Sequence, residues 1–167
     1  MPDDRFVADM NLVARKLTFG ETIAKMAEFD FSPIVRYLQR EDKNHWTEEK
    51  AISELENFKQ FFALRSVANF PIIPLKEDID EVWHACILHT KFYIRLCKSL
   101  YGKYVHHSPS DGTEEGRQKN KTGFQKTTAL FKEVTGQSYA ELTKKVADCD
   151  DCSSCCIDCT GCGSCSN

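Results

Sequence analysis

The densest chemistry in this 167-residue chain sits at its end, in CDDCSSCCIDCTGCGSCSN. Cysteine recurs at every third position through Cys149, Cys152 and Cys155, and again, after a one-residue step, through Cys156, Cys159, Cys162 and Cys165. The C-x-x-C spacing lets two sulfurs converge on one ion from a tight turn. Four thiolates close a tetrahedral zinc site with Zn–S bonds of about 2.3 Å, and soft thiolates equally suit copper(I). The segment holds no Lys or Arg that would stabilise free thiolates, while Asp148, Asp150, Asp151 and Asp158 add negative charge. Without metal these are ordinary protonated thiols; with metal, the acids help to attract the cation. Zinc or copper(I) is therefore the expected ligand. Cys149, Cys152, Cys155 and Cys159 also match the C-x-x-C-x-x-C-x-x-x-C run of bacterial ferredoxins. Thr160 replaces the usual proline, however, and no second run exists outside the tail to share a second cluster, so an iron–sulfur cluster is disfavoured.

A second set of ligand-type residues lies mid-chain. Asp80 and His84 are four apart, on one flank of an expected helix, and YVHHSP brings His106 and His107 just past that helix's end. An ion held by Asp80, His84 and His107 is chemically sensible for zinc or iron. His84 and His89, five apart, differ by about 140° round a helix and cannot share an ion. The more economical role for Asp80 and His84 is structural, tying down the proline-containing loop that leads into the helix, because no HExxH-type pattern is present.

These residues need elements to position them. Residues 1–147 read as helices joined by short breaks, whereas residues 148–167 contain one branched aliphatic residue, Ile157, and no aromatic. That composition cannot offset chain entropy by burial, so the tail is expected to be disordered without metal or modification. The expected organisation is all-α: a compact multi-helix domain over 1–147 with a flexible cysteine-rich tail over 148–167. RFVADMNLVARKL and TIAKMAEF carry apolar residues at three- and four-residue spacing and read as helix. Ser32 is placed as N-cap before Pro33. A helix starts after Thr47, with Glu48 and Glu49 at its positive end and an apolar stripe of Ile52, Leu55, Phe58 and Phe62, widened by Phe61 and Leu64.

One long helix is then expected from about Asp78 to Leu100, ending at Gly102. Its apolar face would hold Ile79, Val82, Trp83, Cys86, Thr90, Tyr93, Ile94, Cys97 and Leu100. Cys86 and Cys97 are thus expected as small, inert core residues. A further helix ends at Gly136, and Ser138 with Glu141 forms a capping box for a last one.

The stretch DEVWHACILHTKFYIRLCKSLYGKYVHHSP reads D-x-x-W-H-x-x-I-L-x-T-x-x-Y-x-x-x-C, then G-x-x-x-x-H-x-P. It resembles the helical module of the glycine-rich-domain-containing-protein-like family, over roughly residues 30–110. The resemblance implies that Asp80, Trp83, His84, Thr90, Tyr93, Cys97, Gly102, His107 and Pro109 occupy the family's signature positions. It implies a helical fold and carries no settled enzymatic activity. Relatives often end in glycine-rich runs where this chain has a cysteine triplet, which puts any function tied to a glycine-rich tail in doubt.

Composition bounds the rest. The net charge of −3 argues against a general nucleic-acid or anionic-membrane binder. No window approaches the roughly 18 apolar residues of a membrane span, and the acidic start MPDDRFVADMNLV has no uninterrupted apolar h-region. The expected compartment is the cytoplasm, where thiols stay reduced. The expected function is non-enzymatic: binding of zinc or copper by the tail, carried on a helical interaction domain with a protein partner. The alternative is a ribosomally made precursor peptide, its helical domain a leader for a tail-modifying enzyme. A metal-dependent enzyme using Asp80, His84 and His107 ranks third, since no nucleophile–base pair or phosphate loop is visible.

Overall fold

The computed structural model describes residues 15–40, 46–108, 111–138 and 140–141. The seven tail cysteines, the 147/148 boundary, Pro109 and most of the expected first and last helices lie outside the described residues. Of the first, residues 15–17 are described and are not helical.

All regular structure among the described residues is helical: α1 (Phe19–Met26), α2 (Ser32–Arg40), α3 (Glu48–Ala63) with a 3-10 turn (Leu64–Ser66), α4 (Glu77–Leu88), α5 (Thr90–Tyr101) and α6 (Glu114–Thr135). Local chemistry explains most ends. α1 begins in a capping box: the Glu21 N–H donates to Thr18 Oγ1, and the Thr18 N–H donates to Glu21 Oε2. α3 begins at Thr47, whose hydroxyl accepts from the Lys50 N–H. α2 starts at Ser32, one residue before the expected Pro33, with the Ser32 N–H held by Asp30 Oδ1 at 2.9 Å. α5 and α6 end at Gly102 and Gly136, both left-handed, with φ of 68° and 72°, which only glycine adopts without strain.

α3 is the hub, packing against α1, α2 and α4, while α5 lies against α4 and α1. Its Leu55, Phe58, Phe61 and Phe62 are buried, as is Leu64 in the turn that follows; Ile52, expected in the same stripe, is 49% exposed. Phe58 and Phe62 stack with centroids 5.2 Å apart, and Phe62 meets Trp83 and Tyr101 edge-on. Each fully buried Phe contributes about 1.5–3 kcal/mol, so this aromatic cluster anchors the domain.

The single helix expected from Asp78 to Leu100 is two helices. His89 leaves the helical region at φ −84°, ψ 64°, its ring sits edge-on to Tyr37 at 5.4 Å, and its Nδ1 lies 2.8 Å from the Ala85 carbonyl. The expected apolar face largely survives the break. Ile79, Val82, Trp83 and Cys86 face the core before it, and Tyr93, Leu96, Cys97 and Leu100 after it; Thr90 and Ile94, expected inside, are exposed. Burial pushes the thiols of Cys86 and Cys97 up from their ordinary values, consistent with the inert core role expected of them.

α6 is fastened from outside. Phe131 is fully buried, and the Thr127 hydroxyl accepts from the Ile73 N–H at 3.0 Å while donating to the Gly123 carbonyl. A Cβ on Gly123 would come within 2.7 Å of Ile73 Cγ1; glycine is what lets the proline-containing loop, residues 71–75, press against this helix.

Candidate metal centre

Asp80 and His84 sit one turn apart on α4, so they share a face. The start of that helix is pinned to α3 at two points. Lys76 Nζ pairs with the buried Glu54, and Lys50 Nζ lies 3.0 Å from Asp78 Oδ1. Ile79, Val82 and Trp83 bury the neighbouring face, which leaves Asp80 and His84 on its flank at a fixed position.

His107 arrives from the segment after α5. The chain leaves α5 through the left-handed Gly102, and Tyr93 ties the segment beyond it to α4: its hydroxyl accepts from Trp83 Nε1 at 2.8 Å and donates to the Val105 carbonyl at 2.7 Å. His107 then stacks on Trp83, centroids 4.2 Å apart and planes 14° apart. Its Nε2 lies 2.9 Å from Asp80 Oδ1, and His84 Nδ1 lies 3.8 Å from Asp80 Oδ2.

Asp80, His84 and His107 therefore form a group that could hold a metal ion, with one ligand atom from each lying within 4.8 Å of the others. His107 Nε2 is shielded from solvent, and Asp80 is its one polar neighbour among the described residues. A buried ring nitrogen beside a carboxylate can coordinate the same cation as that carboxylate. Burial pushes the Asp80 carboxyl up, but the His107 contact and the positive potential of His84 and His107 outweigh it, leaving the group below its ordinary value and ionised. With metal–donor bonds of about 2.0–2.2 Å, the Asp80–His107 pair already has the spacing of two ligands of one ion, and the half-exposed His84 ring would complete the set by turning inward.

The group opens onto a cleft of about 530 Å³. The loop at residues 71–75 forms one wall, Asn120 and Phe124 of α6 another, and Trp83 with the three ligand-type residues closes the end. The aromatic backing of His107 and the α6 wall were not read from the sequence. Spacing places Trp83 in the apolar face, the resemblance places it among the family's signature positions, and nothing local places Asn120 or Phe124 across from residue 80. His106 also lines the cleft but is not in the group, and His89 faces Tyr37.

A family model described as UCP032817-like matches residues 21–135, more than half of the chain. The chain belongs to the UCP032817-like family. The matched interval contains Asp80, His84 and His107 and none of the tail cysteines. Glycine-rich domain-containing protein 1 of Arabidopsis thaliana is 37% identical over 62 residues, which are 37% of this chain and 8% of that protein. The resemblance to glycine-rich-domain proteins thus holds for the helical module, and the chain spans a small part of that relative's length. No solved structure matches the chain. Among the described residues, no helix of this family member is long and apolar enough to cross a membrane.

Proposed function

We propose that this protein binds one divalent transition-metal ion through Asp80, His84 and His107. The observation that carries the reading is the buried Nε2 of His107, set 2.9 Å from the Asp80 carboxylate with no other polar partner among the described residues. One carboxylate and two imidazoles suit zinc or iron(II), and three protein ligands leave coordination positions for water or a ligand. All three residues line the cleft, so a ligand entering it would reach a bound ion.

The test uses full-length protein with all seven tail cysteines replaced by serine, so that the tail contributes no thiolates. Anaerobic titration with zinc and iron(II) should give one ion per chain. Asp80→Asn and His107→Ala should each abolish it. Stoichiometry unchanged by both substitutions overturns the proposal.

The tail supports a separate reading through its spacing. Seven thiolates at triplet positions suit a small polymetallic cluster of zinc or copper(I), and they bind protons and metal competitively. The cytoplasm, which keeps such thiols reduced, is the compartment this reading requires, and a protein partner would dock on the helical domain. A modified precursor tail is its alternative. Native mass spectrometry of protein from its own host separates metal adducts from covalent modification in one spectrum.

A further inference from the structure

The cleft beside the metal group has a lopsided chemistry. A divalent ion held by one carboxylate and two imidazole ligands carries one net positive charge, here at the closed end of the cleft. The walls leading away from it, Ile73 and Pro74 on the loop and Phe124 on α6, are apolar. Among the described lining residues Lys76 is the one lysine or arginine, and its ammonium is bound to buried Glu54. Glu77 stands at the exposed rim, where water and salt screen it. A volume of about 530 Å³ accommodates a small organic molecule.

We infer that the metal-loaded cleft takes a small carboxylate with an apolar body, its carboxylate oxygen on the metal and its hydrocarbon against Ile73, Pro74 and Phe124. A single carboxylate neutralises the single net charge of the site. A phosphate monoester brings about two negative charges and calls for arginine or lysine donors besides the metal; the one lysine here is already paired. A cationic ligand meets the metal's repulsion, and a purely apolar one leaves the open coordination positions to water.

The inference rests on metal binding at Asp80, His84 and His107, and the experiment separates the two. The probes are acetate, butyrate, hexanoate and inorganic phosphate, added to the zinc-loaded full-length chain with its tail cysteines replaced by serine, with zinc content measured in parallel. Each buried methylene should strengthen binding about fourfold, so hexanoate should bind at least tenfold tighter than acetate and more tightly than phosphate. His107→Ala should remove both zinc and hexanoate binding. Phe124→Ala should keep zinc and acetate binding and weaken hexanoate several-fold. Zinc retained with no chain-length dependence, with phosphate equal to hexanoate, or with hexanoate binding unaffected by metal removal overturns the inference and leaves the metal reading standing. Failure to load zinc at all overturns both.

Discussion

His107 lies flat on Trp83, 4.2 Å between ring centroids, and Trp83 in turn donates its indole N–H to Tyr93. The imidazole's orientation is thereby set by a buried aromatic that is itself held by a hydrogen bond. Tyr93→Phe deletes the hydroxyl that joins Trp83 to the Val105 carbonyl and leaves a buried donor unpaired. The expected cost is about 1–3 kcal/mol in metal-free stability, with roughly tenfold weaker zinc binding at unchanged stoichiometry. Denaturant melts and competition with a chelator measure the two. Unaltered zinc affinity would mean that the Trp83–Tyr93 bond does not position His107.

The two histidines of α4 and its end should behave differently. His84 is in the metal group; His89 sits at the helix break with its ring against Tyr37. His84→Ala should weaken zinc binding by at least tenfold, and His89→Ala should leave it within about twofold while lowering stability by roughly 1 kcal/mol through the lost contact at the break. Isothermal titration of both variants decides; equal losses of affinity would exclude the assignment.

Glu54 is fully buried, and its charge is met by Lys76 and by Asn57 Nδ2 at 3.1 Å. Removing one partner strands a buried charge. Lys76→Met should cost about 3–5 kcal/mol, and adding Glu54→Met should restore part of it, because a buried pair contributes little beyond its apolar replacement while the Asn57 amide loses its acceptor. A urea-unfolding double-mutant cycle reads this directly. Since Lys76 precedes α4, the single variant should also loosen the metal group, and the double variant should recover it.

Glu21 supplies a pH dependence. The Thr18 N–H, then Arg15 and the Thr18 hydroxyl, lower its carboxyl from 4.5 to about 2. A depressed folded-state value means that its contribution is complete above pH 4.5 and is lost as pH falls from there through 2. The melting temperatures of wild type and Glu21→Gln should differ near pH 6 and converge towards pH 2. An NMR titration midpoint for Glu21 near 4.5 would show the capping box open in solution.

The tail should be separable from the helices. Deleting residues 148–167 removes almost no apolar side chain, so stability of the metal-free protein should shift by under about 1 kcal/mol. In the remaining chain Cys86 and Cys97, both fully buried, should resist a thiol reagent until the protein unfolds. Reduced tail peptide should take more copper(I) than zinc per chain, since copper(I) accepts two or three sulfurs and thiolates can be shared. Binding that survives serine replacement of all seven cysteines would end the thiolate reading.

The sequence determined what is settled within a few residues along the chain. Thr47, Gly102 and Gly136 mark helix ends because a cap joins groups three or four positions apart. The three-four spacing of Leu55, Phe58 and Phe62 marks a buried face for the same reason. Asp80 and His84 were legible as a pair, and His107 as a candidate partner. Thr18 and Glu21 carried the same kind of signal, a T-x-x-E box that periodicity alone passed over.

Tertiary structure decided the rest. The break at His89 lies against Tyr37 on another helix, and Thr90 and Ile94 beyond it are exposed. His107 reaches Asp80 because Tyr93 and Trp83 hold the returning segment, and the cleft exists because Gly123 and Thr127 bring α6 against the loop at residue 73. Spacing along a chain fixes which residues share a face of one helix; which faces meet is set by how several helices fill one volume at the same time.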